Sequence, residues 1–175
     1  MTIAENEHNV FKQMTSDLEF RLNVTMNQPM FKSSLLEMYI FEESKPQKRF
    51  LKSMLNQVEN NEIYLLPVGG FVMFMTKDFQ STIAFAMRKP NKKHKRCFNV
   101  PWMIEIDAVH SDKKGNGSYL MNIVLKISDD AKVPTSLWSE TSKNTNYFKK
   151  YGFKPYGKRG VNNEELLIRK QIPTA

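Results

Sequence analysis

The chain has 175 residues, 41% of them hydrophobic, and a formal net charge of +8 at pH 7. That is enough chain for one globular domain with a real core, and 7 glycines and 8 prolines are too few for a fibrous or low-complexity protein. No apolar run approaches the roughly 20 residues that cross a bilayer, and the polar, acidic start MTIAENEHNV does not read as a secretory signal. The expectation is a cytoplasmic protein forming a single domain over residues 1–175, without a membrane partner.

Residues 1–16 are read as loosely ordered. EFRLNVTM, near residues 19–26, alternates as a strand does. Between Phe31 and Asn60 the pattern turns helical: Leu35, Met38 and Tyr39 share a face, Pro46 starts a second helix, and Phe50, Leu51, Met54 and Val58 supply its apolar stripe. IYLLPV and FVMFMT flank Gly69-Gly70 as a hairpin. STIAFAM is either a further strand or a short helix.

RKPNKKHKR, Arg88 to Arg96, is the densest basic cluster. Its plain reading is a solvated loop, and its alternative is contact with an acidic protein or nucleic acid. The cluster lacks interleaved aromatics, which speaks against a single-strand stacking surface. Cys97 is the lone cysteine, so no thiolate cluster or disulfide is available; the basic run before it would favour a thiolate nucleophile, but it reads as a structural cysteine. His8, His94 and His110 share no ligand spacing, so no metal site is expected.

WMIEIDAV, residues 102–109, reads as a buried strand, followed by a glycine loop and the helix SYLMNIVLKI with Leu120, Val124 and Ile127 on one face. VPTSLW is a strand with proline near its start, SKNTNYFKKYGF a short helix ended by Gly152, and the turn-like GVNNE and IRKQI close the chain with one or two strands. The fold class is therefore mixed α/β, with a right-handed crossover in the second half.

VHSDKKGNGSYLM, residues 109–121, carries the chemistry. A strand, a glycine loop and a helix start aim unpaired backbone N–H groups and the positive helix end at one point, which suits an anion. Lys113 and Lys114 add charge. A tight turn with two solvated lysines is the competing reading. The P-loop spacing is absent, and Leu120 stands where a dinucleotide fingerprint needs its third glycine.

The order strand–GxG–helix, then a strand and a short helix ending in GF, resembles the GNAT superfamily of acyl-CoA-dependent N-acetyltransferases over roughly residues 102–155. VPTSLWSETSKNTNYFKKYGF is similar to the branch containing puromycin N-acetyltransferase. The resemblance implies a mixed central sheet with splayed parallel strands and flanking helices, and transfer of the acetyl group of acetyl-CoA to a primary amine by direct attack in a ternary complex. It leans towards a small-molecule acceptor and leaves a homodimer open. It implies a coenzyme site of Asp107, Ala108, Val109, Lys113, Lys114, Gly115, Asn116, Gly117, Ser118 and Tyr119, with the N–H near Val109 on the thioester carbonyl, Asn144 on the coenzyme arm and Phe148 against it.

Three departures follow from the same comparison. Asp112 stands where the family usually has Gln or Arg, the loop from Val109 to Gly115 is about two residues short, and Phe148 replaces a tyrosine that often protonates the leaving thiolate. Tyr147 is the expected substitute acid, with Tyr151 or water as alternatives. Strict strand alternation puts Met103, Glu105, Asp107 and Val109 on one face and Ile104, Ile106 and Ala108 on the other, so that His110 faces away from Glu105. Glu105 occupies a position that relays the amine proton in some family members and is the expected base; pairing with lysines at a strand edge is the competing role. The other reading of the whole chain is a catalytically weak or inactive module that binds an acidic partner or nucleic acid through Arg88 to Arg96.

Overall fold

Seven strands in one mixed sheet organise the chain in a computed structural model that describes residues 3–97 and 99–171. Four helices come first: α1 (Ile3–Ser16), α2 (Leu18–Met26), α3 (Gln28–Phe41) and α4 (Lys45–Asn60). Strands β1 (Ile63–Val68), β2 (Phe71–Thr76) and β3 (Ser81–Arg88) form a meander that leads through the short helix α5 (Lys92–Lys95) into β4 (Met103–Ser111). Then α6 (Asn116–Ala131), β5 (Thr135–Ser139) and α7 (Ser142–Lys149) alternate before the closing strands β6 (Lys154–Arg159) and β7 (Glu165–Arg169). The sheet order is β1-β2-β3-β4-β5-β7-β6. Strands β4 and β5 run parallel, and the other neighbours run antiparallel.

The first half departs from the sequence reading. Residues 3–16, expected to be loose, form α1, and EFRLNVTM, expected as a strand, forms α2. Asp17 caps α2 by accepting from the N–H groups of Glu19 and Phe20, which fixes the helix start that alternation alone concealed. One edge of the sheet is β1, and α3 reaches it. Gln28 mimics a strand residue there: its Nε2 donates to Leu65 O (2.8 Å) and its Oε1 accepts from Leu65 N (2.8 Å). Pairing the edge with a buried amide removes the free donors and acceptors that invite aggregation. Met38, expected on the buried stripe of α3, is 59% exposed, while Leu35 is buried and Tyr39 packs on the core.

Two layers cover the sheet. On one face, Phe50, Leu51, Met54 and Val58 of α4 and Leu120, Val124 and Ile127 of α6 pack against Phe74, Ile83, Phe85 and Ile104. Polar ties fix the register of these helices: Ser53 Oγ donates to Asp130 Oδ2 (2.7 Å) and Arg49 Nε to Ala131 O (3.1 Å). On the other face, α1 and α2 close a smaller cluster around Val24, Met75 and Phe79, with Met14, Phe20 and Met73.

Two local features of β4 position the site. The pairing with β3 runs Ile83–Val109 and Ala84–Ala108, then Phe85–Ile106, so Asp107 is an extra residue in a β-bulge. The pairing with β5 ends at Ile106–Leu137. From the bulge onward the two parallel strands part, as the resemblance implies.

Candidate active site

The glycine loop resolves into a helix start that faces a cleft. Gly115 is the N-cap of α6, with φ of 92°, a left-handed conformation that a side chain would strain. No side chain caps this end of the helix; the Asn116 N–H donates to Lys113 O (3.2 Å), and the amides that follow it have no side-chain acceptor. Gly117 is tight for another reason: a Cβ there would sit 3.3 Å from Ser111 Cβ and 3.8 Å from the Tyr147 hydroxyl. A cleft of about 520 Å³ opens in front of these amides. It is lined by Val109, Lys113, Lys114, Gly115, Gly117 and Ser118 from the β4–α6 side, and by Asn144, Tyr147 and Phe148 from α7. Nine residues expected at the site thus surround one hollow, at the mouth of the β4–β5 splay.

The other four expected coenzyme residues lie elsewhere. Asp107 is held by Arg88, and Ala108 faces α1. The Asn116 amide turns to Asp78 (3.4 Å), and the Tyr119 hydroxyl reaches Asn61 Oδ1 (3.3 Å) across the surface of α6. Ser111 and Asp112 line the cleft although sequence reasoning did not select Ser111 and treated Asp112 as a departure. Both have partners: Ser111 Oγ shares a 2.7 Å contact with Ser81 Oγ and donates to Lys113 O (2.8 Å), while Asp112 pairs with His8 Nε2 (3.0 Å) and Lys12 Nζ (3.5 Å) of α1. No signal in the glycine motif announces these ties.

Asp78, in the β2–β3 turn, steadies the loop. Its carboxylate pairs with Lys113 Nζ (3.1 Å). Burial pushes the carboxyl up, but hydrogen bonds from Thr76, Gln80 N–H and Lys113 outweigh it and hold the pKa down at about 2. Lys113 is therefore committed to the loop's own structure, which leaves Lys114 as the side-chain cation free of an ion pair among the described residues of the loop.

A hydroxyl cluster stands at the α7 wall. The Tyr151 hydroxyl lies 2.8 Å from Ser118 Oγ and 3.0 Å from the Tyr147 hydroxyl, and Ser118 Oγ is 3.4 Å from Tyr147. Burial first, then its bond with Tyr147, raises the Tyr151 pKa, opposed by the Ser118 hydroxyl. Tyr147 is thus the cleft-lining member of a hydrogen-bonded hydroxyl group, with Phe148 packed edge-on to it at 5.3 Å between ring centroids.

The bulge corrects the face assignments on β4. Because Asp107 is inserted, Val109 rejoins Ile104 and Ile106 on the α6 side, whereas Ala108 and His110 turn to the face of Glu105. Strict alternation placed Val109 with Glu105 and His110 away from it; one extra residue reverses both. Glu105 does not pair with a lysine. Arg88 NH1 binds Glu105 Oε2 (3.0 Å), and the same guanidinium clamps Asp107 (2.6 and 2.7 Å). The bonds to Asp107, and secondarily to Glu105, raise the Arg88 pKa above its ordinary value against the cost of burial. On the other side, Glu105 Oε1 lies 3.8 Å from Nε2 of His94, which is fully buried and also 3.4 Å from Ser136 Oγ.

His94 alters the reading of the basic cluster. It enters the fold from α5, where Asn91 caps the helix through the N–H groups of Lys93 and His94. Burial lowers its pKa, opposed by the charge of Glu105. Lys93 donates to Arg159 O (3.1 Å) and lies over the Trp138 ring (5.4 Å). The cluster is a structural flap with Lys92, Lys95 and Arg96 exposed, not a wholly solvated loop.

No protein-family model matches the chain, and no curated protein matches it. Solved structures do. The chain is similar to the histone acetyltransferase HPA2 and related acetyltransferase from Corynebacterium glutamicum, at 15% identity over 100% of this chain and 96% of that one, with a TM-score of 0.46. It is similar to the Bacillus subtilis N-acetyltransferase YlbP in complex with coenzyme A, at 18% identity over 79% and 90% of the two chains, TM-score 0.41. A mutant AtaT toxin bound to the C-terminus of the antitoxin AtaR and acetyl-CoA is 18% identical over 74% and 80%, TM-score 0.43. At these values the likenesses carry no argument about activity or substrate. Among the described residues no helix is long and apolar enough to cross a membrane.

Proposed function

We propose that the chain transfers the acetyl group of acetyl-CoA to a primary amine by direct attack in a ternary complex. The observation that supports this most is the uncapped N-terminus of α6 opening into a cleft at the β4–β5 splay. The residues present fit the coenzyme. Donor-rich backbone and Lys114 suit a diphosphate, Gly117 keeps the approach free of a Cβ, and the parted strands leave room for an extended arm. Bound there, acetyl-CoA supplies a thioester whose carbonyl carbon accepts a nucleophile.

In this reading the amides of Gly115, Gly117 and Ser118 hold the diphosphate, Asn144 binds the arm, and Phe148 packs beside it. The β4 backbone near Val109 has lost its β5 partner and offers an N–H to the thioester oxygen, where negative charge develops. The amine nitrogen bonds to the carbonyl carbon as the carbon–sulfur bond breaks. Glu105 takes the amine proton through water, and Tyr147 gives a proton to the departing sulfur and recovers it from Tyr151 or solvent. Atoms and charge balance: an amide and a free thiol leave.

The competing reading, a binding module that uses the flap, has the exposed Lys92, Lys95 and Arg96 in its favour. One assay separates them. The enzyme releases free thiol from acetyl-CoA in an amine-dependent manner, and acetyl-CoA at about 100 times its dissociation constant adds roughly 2.7 kcal/mol of stability. Stabilisation without thiol release over a broad amine panel would leave the module; no stabilisation would remove the coenzyme site.

A further inference from the structure

Across β4 from the coenzyme cleft lies a second hollow, of about 390 Å³, between α1 and the sheet. Its walls are mostly apolar, with Val10, Phe11 and Met14 of α1 beside Phe71 and Met73 of β2 and Ala84 of β3, and Asn6, Thr82 and His110 add polar groups. Its carboxylates are Glu7 and Asp107. Asp107 and Ala108 line this hollow, and the next residue, Val109, lines the cleft. The two spaces are therefore separated by the backbone of one strand at its bulge, beside the point where β5 has parted.

We propose that this hollow binds the acceptor, and that the acceptor is a primary monoamine carrying a compact apolar or aromatic body. The inference rests on the acetyl-transfer reading and names its substrate class. Charge complementarity chooses the head group. Arg88 offsets only one of the two charges on Glu105 and Asp107, and Glu7 adds another negative charge at the rim. Lys12 is spent on Asp112. His110 adds no opposing charge near neutrality, because burial, and then the neighbouring His8, lower its pKa; Glu7 and Asp112 pull the other way. Its ring stacks on Phe11 at 5.2 Å.

The walls choose the body. A second ammonium would find acceptors only at the exposed Asn6 and Glu7 or at the Thr82 hydroxyl, and one held among Phe11, Met14, Phe71 and Met73 would lose its hydration without recompense. Methionine side chains adapt to ring or alkyl shapes. The volume lies at the small end of ligand sites, which suits one ring or a short chain and excludes a folded macromolecule. Polyamines and nucleic acids are therefore disfavoured as occupants.

The test uses the full chain with saturating acetyl-CoA and follows thiol release with 2-phenylethylamine, n-hexylamine and spermidine. The expected result is a kcat/KM for each monoamine at least about tenfold above that for spermidine. Val10→Lys places a cation at a half-open wall position, and should raise the KM for 2-phenylethylamine about tenfold or more while leaving the acetyl-CoA dissociation constant unchanged. Val10→Leu should behave as the parent. Spermidine turned over as well as the monoamines, or an unmoved KM in Val10→Lys, overturns the proposal. Calorimetry of 2-phenylethylamine without coenzyme keeps the two claims apart. Acetyl-CoA binding with no binding of this amine removes the acceptor assignment alone, whereas Val10-dependent amine binding with no acetyl-CoA binding supports the hollow and removes the transferase reading.

Discussion

The two hollows beside β4 are made of different material. The cleft on the α6 side is built from main-chain amides, glycines at constrained positions, small hydroxyls and one uncommitted lysine. The hollow on the α1 side is built mostly from large apolar side chains, with Glu7 and Asp107 as its carboxylates. Backbone donors recognise a ligand whose shape and charge never vary, and side-chain walls recognise whatever their residues happen to fit. A single strand borders both because alternation turns Ala108 and Val109 to opposite faces, and the bulge at Asp107 decides which face each one takes.

Substitutions divide along the same line. The largest catalytic effect is expected at Tyr147: Tyr147→Phe keeps the ring in the cleft, removes the hydroxyl 3.0 Å from Tyr151, and should lower kcat about a hundredfold with little change in acetyl-CoA affinity. Single-turnover measurement with a poor leaving-group analogue and a good one checks it, since the loss should shrink with the good one. A smaller effect, on the order of tenfold in rate, is expected for Glu105→Gln, concentrated at pH values where the amine is still protonated. A loss that is uniform across pH would assign Glu105 to holding Arg88 and not to moving a proton.

The smallest effect is on stability, and it too separates the two sides. His94 and His110, both on the α1 and flap face, have pKa values lowered by burial. Each folded value lies below the unfolded one of roughly 6.5, so the unfolded chain binds more protons and stability falls as pH drops from there. The denaturation midpoint should decrease from about pH 7.5 to about pH 5.5, and His94→Gln should flatten that decrease. The loop anchor follows the same sign in a lower window: Asp78, held down at about 2, loses its contribution only as pH falls below the ordinary carboxylate range, so it keeps its pairing from about pH 7.5 to about pH 5.5.

How much of this the sequence disclosed follows from where the information sits. Motifs around Gly115 and Asn144 are local, so the strand–loop–helix order was readable in the sequence, and nine residues that the family resemblance implied line one cleft. The order of the central and closing strands was equally readable, because apolar runs bounded by turns carry it. The α1 side was not readable. EFRLNVTM alternates like a strand, and only the Asp17 cap and the docking of Gln28 on Leu65 make it a helix. The bulge at Asp107 leaves no mark in composition, yet it moves Val109, Ala108 and His110 to faces opposite those that alternation assigns. Arg88 and His94 sat inside a basic run that reads as solvent-facing, while their partners Glu105 and Asp107 lie across the strand pair.

Calorimetric titration of acetyl-CoA into the native chain and into Gly117→Asp tests the central claim most directly. The substitution puts a side chain within reach of Ser111 and a negative charge at the open end of α6. Saturable binding to the native chain, weakened at least about a hundredfold in a variant that keeps the native circular dichroism and melting behaviour, is the predicted result. Equal affinity in both proteins, or no heat of binding in either, contradicts it.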